Sequence, residues 1–320
     1  MPIARINDHD MYYEVLGQGE PVLCMGGWGT FCRDNHHHLA RGLTDRYQVI
    51  LFDYRGIGES TDDLTRPSTM ALHADDAIGL LDHLGLKKVH LVGLVGMGAC
   101  VAQEIAMKRP DLARSMLNTG AWCEVDDFLR DQLNMFRDIH RDAGFFAFQK
   151  VVTLLSFTPE YYNANHSKLL GPQGGWKELN GRFEAHSRLV EACVNFESRS
   201  RLGQVKCPTL VIHAALDVVT SPRTTVPIEK AIPGAIGETW DDLAHVVAGK
   251  EQKIRIEASS GLSDEDIKKM KREAEENAEA DKLLKEEADL RNEADQLIFA
   301  AKKAITDLGE SVSDDEKTDT

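Results

Sequence analysis

Apolar positions along the chain come in two rhythms. Short runs with strand spacing alternate with longer stretches whose apolar residues recur every three or four positions. Residues 11–15 and 21–25 read as strands, and residues 47–53 (YQVILFD) form a near-continuous apolar run suited to a strand covered on both faces. Residues 68–84 read as an amphipathic helix closed by Gly85, and 89–93 as the next strand. Residues 99–108 then read as a helix stopped by Arg109-Pro110, because the residue before a proline is steered out of the helical region. Residues 115–119, 209–213 and 237–240 complete the strands. Strand–helix alternation of this kind predicts an α/β fold, a doubly wound and mostly parallel sheet with helices on both faces. The alternation stops from about 123 to 202, where residues 128–144, 145–155 and 179–197 read as helices rich in aromatics. A helical cap over the sheet is the expected outcome.

Composition divides the chain. All ten prolines and four tryptophans precede about residue 245, after which Glu, Lys, Ala and Asp dominate and Phe299 is the one aromatic. The expected organisation is therefore a first domain over 1–248, an appended strand and helices over 249–311, and a polar, disordered tail over 312–320. A net charge of -15 argues against a nucleic-acid surface, which needs clustered cations. The opening MPIARINDHDMYYEV has no signal-peptide pattern, and no apolar run reaches membrane-spanning length, so a cytoplasmic protein without a membrane partner is expected. The six cysteines lack a CxxC pair and suit buried thiols in a reducing compartment.

Four segments carry candidate chemistry. In the first, a strand ends at Asp53, and Arg55, Gly56, Gly58 and Ser60 follow; earlier, Gly26-Gly27-Trp28-Gly29 follows another strand. The second runs Leu91-Val92-Gly93-Leu94-Val95-Gly96-Met97-Gly98-Ala99, a glycine-rich turn from strand to helix. The third ends a strand in Asp217, and the fourth places His245 after the last strand. A carboxylate on one imidazole nitrogen fixes the tautomer and makes the other nitrogen the better base. Cys100 reads as core rather than as a nucleophile. His36-His37-His38 read as a solvated helix start rather than as a metal site, because adjacent side chains rarely converge on one ion.

Together these segments resemble the α/β-hydrolase family over about residues 3–248, in the style of small capped C–C bond hydrolases and enol-lactonases. The resemblance implies a nucleophile elbow, G-x-S-x-G, within 91–99, yet no serine is there. Counted from the strand, the nucleophile position is Val95; counted back from the helix, it is Gly96. Neither can accept an acyl group. The resemblance further implies Asp217 as the triad acid, His245 as the base, and oxyanion donors from Gly27 or Trp28 and from Met97. It implies a small-molecule substrate and no cofactor, metal or ATP.

From 250 to 309 the chain resembles the last strand and first lid helices of the DnaK-type chaperones, carried by IRIEASSGLSDEDIKKMKREAEENAEADK. Ser263 before Asp264-Glu265-Asp266 is a good helix start. A fused or chimeric chain is the expectation. The functional expectation is an enzyme acting on a small carbonyl, ester, lactone or C–C substrate through an Asp-His pair and an oxyanion site. A catalytically inactive binding protein, a lyase or cofactor-free oxygenase on the same site, and a chaperone-related interaction protein stay open as alternatives.

Overall fold

The computed structural model describes residues 3–29, 39–40 and 42–246. His36, His37, His38 and Cys32, and the segments 249–311 and 312–320, lie outside the described residues.

The strands are β1 (Ile3–Ile6), β2 (His9–Leu16), β3 (Glu20–Met25), β4 (Tyr47–Phe52), β5 (Val89–Gly93), β6 (Ala113–Thr119), β7 (Thr209–Ala214) and β8 (Ile236–Trp240). They form one sheet in the order β1-β2-β4-β3-β5-β6-β7-β8. β1 pairs with β2, and β2 with β4, in antiparallel fashion; every later pairing is parallel. The sheet is thus mixed, with an antiparallel N-terminal edge added to a parallel body. Central β5 is buried along its whole length, as befits a strand with neighbours and helices on all sides. Edge strand β8 is mostly exposed.

The helices are α1 (Leu43–Arg46), α2 (Met70–His83), α3 (Met97–Lys108), α4 (Asp127–Ala143), α5 (Phe145–Ser156), α6 (Pro159–Leu169), α7 (Phe183–Val194) and α8 (Pro222–Ala231). Helix α3 crosses behind the parallel strands and is buried from Met97 to Met107. Helix α2 begins at a cap in which Thr69 Oγ1 accepts from Leu72 N at 3.1 Å, a bond that satisfies one orphan donor of the first turn.

Helices α4 to α7 occupy the interval between β6 and β7. In α4 the buried residues are Leu129, Leu133, Phe136 and His140, one stripe at helical spacing. Asp126 caps it by accepting from Leu129 N at 2.9 Å. The stripe packs with Phe148 of α5, itself within ring contact of Phe136 and His140. The region expected as one helix over 179–197 instead holds a short 3-10 turn at Lys177–Leu179 and then α7. Gly181, at φ 74°, interrupts the helical path between them.

Candidate active site

The candidate site lies beyond the carboxyl ends of β3, β5, β7 and β8, the edge at which open α/β sheets hold ligands. The turn between β5 and α3 is its floor. Gly93 closes the strand end: a Cβ there would meet Ala99 Cα at 2.5 Å. Gly98 opens the helix, and a Cβ there would overlap the Met25 carbonyl. Both positions therefore tolerate nothing larger than glycine.

In a G-x-S-x-G elbow three residues separate the two glycines; here Leu94, Val95, Gly96 and Met97 separate them. The extra residue is why the strand count and the helix count disagree. The turn absorbs it with two successive positive φ angles, 54° at Val95 and 71° at Gly96. A β-branched residue in that region is an outlier. Gly96, with ψ −99°, is the residue immediately before helix α3. A small residue follows the nucleophile position by two in such an elbow, and Gly98 stands in that relation to Gly96. The Val95 Cγ1 lies beside Gly27, 3.3 Å from where a Cβ on that glycine would sit.

Opposite the turn stand Asp217 and His245, 2% and 9% exposed. The His245 Nδ1 lies 2.9 Å from Asp217 Oδ2. Asp217 Oδ1 accepts from the backbone of Val219 and Thr220, both at 2.7 Å. Its Oδ2 also accepts from Thr220 Oγ1 at 2.7 Å. Burial pushes the Asp217 carboxyl up. The His245 imidazole and the donors of Thr220 more than offset burial and leave it below its usual range. Thr220 Oγ1 also stands 2.9 Å from His245 Nδ1, so the ring is held on one side only. No described residue bonds Nε2, and His245 lines the cavity described next.

The cavity has an empty volume of about 420 Å³, part of it open to solvent, and is lined by Gly27, Trp28, Gly96, Trp122, Ser156 and His245 among others. No described residue accepts a hydrogen bond from the N–H of Trp28, Gly96 or Met97. Donors at a helix N-terminus and an adjacent turn suit a developing oxyanion. All the sequence-predicted positions (Val95, Gly96, Gly27, Trp28, Met97 and His245) line this cavity, and Asp217 stands behind His245.

Cys100 is fully buried, and its thiol donates to the Trp122 carbonyl at 3.5 Å. Burial pushes that thiol well above its ordinary range, which suits a core residue. The Arg55 of the first segment is structural. Its guanidinium grips Asp76 through Nε at 2.5 Å and Nη2 at 2.8 Å, and reaches Asp8 at 2.5 Å. The cluster of Asp8, His9 and Asp76 is therefore neutralised by an arginine side chain. Gly58 in the same segment lies against the Asp53 carboxylate, and Glu59 N donates to Asp53 Oδ2 at 3.0 Å.

Sequence reasoning missed Thr220, Trp122 and Ser156. Thr220 had a local signal, since an Asp followed three residues later by Thr often closes a side-chain turn. Trp122 and Ser156 reach the cavity only through tertiary packing and carried no signal.

Residues 20–248 match the profile described as alpha/beta hydrolase fold, and residues 242–320 match that described as Hsp70 protein. A protein of Azorhizobium caulinodans assigned by name to the RutD carbamate hydrolases is 29% identical over 245 residues, covering 73% of this chain and 88% of its own. One from Caulobacter sp. bearing the same name is 26% identical over 213 residues, covering 66% and 77%. Among solved structures, the enol-lactonase of Burkholderia xenovorans superposes with a TM-score of 0.69 at 21% identity, covering 77% of this chain and 93% of that one. A thermophilic esterase of Thermogutta terrifontis superposes with a TM-score of 0.65 at 24% identity, covering 77% and 92%.

Proposed function

The chain belongs, over residues 20–248, to the alpha/beta hydrolase fold family, and from that premise we propose that it hydrolyses a small, partly apolar ester or lactone by direct attack of water. His245 is the base, Asp217 fixes its tautomer, and the N–H groups of Trp28 and Met97 receive the oxyanion. The observation that carries this reading is the imidazole anchored at Nδ1 only, with Nε2 left for a cavity whose floor at Gly96 has no side chain.

The steps balance without an acyl-enzyme. The Nε2 lone pair takes a proton from a water molecule in the space above Gly96. The resulting hydroxide oxygen bonds to the carbonyl carbon, and the carbonyl π electrons move to oxygen. The tetrahedral anion is held by backbone donors, which cost no reorganisation at the moment of reaction. On collapse the bond to the leaving oxygen breaks, and the imidazolium returns its proton there. The Asp217 carboxylate stabilises that imidazolium throughout. The names of the relatives, carbamate hydrolase and enol-lactonase, lend support to a small carbonyl substrate.

A panel of small esters and lactones tests the reading with the wild type, His245→Ala and Gly96→Ser. The expected result is steady turnover without a burst, reduced about 10²–10⁴-fold in His245→Ala. In Gly96→Ser a burst and labelling by a fluorophosphonate are expected, at reduced stability, because Trp122 Cζ3 lies 3.0 Å from the new Cβ. Turnover that survives His245→Ala would overturn the reading. Binding without turnover would favour a catalytically inactive member of the fold, which the missing attacking side chain at Val95 and Gly96 also suits. We further propose that 249–311 is a separate, chaperone-like unit that takes no part in this chemistry.

A further inference from the structure

Apart from His245, the lining of the cavity is almost wholly apolar: Leu133, Phe136, Val152, Trp176, Val219 and the side chain of Met97. Two side chains break the pattern. Ser156, the last residue of α5, is fully buried, and its Oγ has no hydrogen-bond partner among the described residues. Trp122, in the loop after β6, is 2% exposed, and its Nε1 has none either. Trp28 Nε1 lacks a hydrogen-bond partner among the described residues too, with the Cys193 thiol as its side-chain neighbour. An orphaned buried donor carries a desolvation cost, and native interiors rarely keep one without use. Here two, besides that of Trp28, belong to residues that line the same cavity. Neither is needed to hold the fold: Ser156 is already tied down through its carbonyl, which accepts from Val246 N at 2.9 Å, and Trp122 through its carbonyl, which accepts from Gln103 Nε2 at 3.2 Å.

We infer that Trp122 Nε1 and Ser156 Oγ form a second polar subsite that takes an acceptor oxygen of a neutral ligand, so that the site selects uncharged carbonyl compounds bearing a second oxygen remote from the reacting one. The preference for a neutral ligand follows from the rest of the lining. No Lys, Arg, Asp or Glu is among the described lining residues, and a carboxylate stripped of water beside them would lack a counter-charge. The hydroxyl and the indole donate hydrogen bonds to an oxygen of either kind. The apolar walls supply the discrimination against charge. The assignment of which oxygen reacts rests on the hydrolytic reading above, whereas the existence of the subsite does not.

Three matched probes separate the two. Methyl levulinate carries two carbonyl groups, methyl pentanoate has a methylene in place of the second, and levulinate is the anion. Binding to the full chain is read by saturation-transfer NMR titration, independently of turnover. Methyl levulinate is expected to bind about tenfold more tightly than methyl pentanoate, with no saturable binding of levulinate. Ser156→Ala and Trp122→Phe are each expected to shrink that preference to threefold or less, with circular dichroism confirming the fold. Ser156→Ala removes only a hydroxyl and keeps the test decisive where Trp122→Phe fails to fold. Equal binding of the two esters, binding of the anion, or an unchanged preference in Ser156→Ala would overturn the subsite. Binding with the expected preference but no hydrolysis would sink the hydrolytic reading and leave the subsite standing; hydrolysis of both esters with no preference would do the reverse.

Discussion

At the scale of single residues, the informative positions are those where a side chain is missing. Gly98 presses on the Met25 carbonyl, so Gly98→Ala should cost about 1–3 kcal/mol by overpacking, read as a drop in the urea midpoint at unchanged slope. Gly85, with open space around it, is the control by contact, since any loss there comes from its φ of 68° alone. Thr220 is a positioning residue. Its hydroxyl and amide both hold Asp217, and Thr220→Val keeps the amide and the volume. The expected outcome is a kcat/KM about tenfold lower, on the scale of one charge-assisted hydrogen bond, with the Asp217 carboxyl moved back toward its ordinary value. Thr220→Ser should restore both, which a purely packing role would not allow. The sequence pointed to Asp217, His245 and the elbow, but not to which of Val95 and Gly96 sits at its apex. That choice depends on two close approaches, at Gly93 and Gly98, that exist only once α3 packs on β5.

Among the elements, those with an unbroken apolar pattern were legible and those with mixed signals were not. Residues 47–53 and 89–93 stood out because both faces of β4 and β5 are covered. β1 is four residues long, with alternating exposure, and such a run is too short to register against the background. Helix α6 has a single buried residue, Leu169, so it lacks an apolar stripe; only Thr158 and Pro159 at its start marked it. In the cap, α4 and α7 meet at a buried pair in which His140 Nδ1 and His186 Nδ1 lie 3.0 Å apart. Phe145, Phe148, Phe183 and Trp28 surround the pair. Burial pulls His186 down to about 3, with His140 and Arg137 adding to the effect, and burial lowers His140 too. A histidine kept neutral by the fold binds fewer protons than it does unfolded. Stability from the pair is thus complete above about pH 6.5 and falls as the pH drops through the window toward 3, by up to about 1.4 kcal/mol per pH unit for each proton withheld. Urea titrations at pH 7 and pH 4.5 should show this loss, smaller in His186→Gln. His73, also held near 3 by burial, supplies a remainder that the substitution leaves in place.

Taken whole, the chain changes character where its two family profiles overlap, at 242–248, and His245 lies inside that overlap. Composition made the division legible, since aromatics and prolines give way to mixed charge near residue 245. Every described residue of the candidate site lies at or before His245, and the backbone next to it is secured from the cap, through Val246 N on the Ser156 carbonyl. The excess of acidic residues after 250 adds to the net charge. Two truncations then have opposite expected outcomes. A chain ending at residue 256 keeps the imidazole and the Val246 bond, and its kcat/KM and its preference for methyl levulinate should match the full chain within about twofold, the scatter expected of changes remote from a site. A chain ending at residue 244 loses His245 and that bond together. It should keep the sheet, by circular dichroism, but lose turnover at least as completely as His245→Ala. If the longer truncated chain loses activity as well, residues after 256 support the site, and the appended segment is part of one working unit with the hydrolase domain.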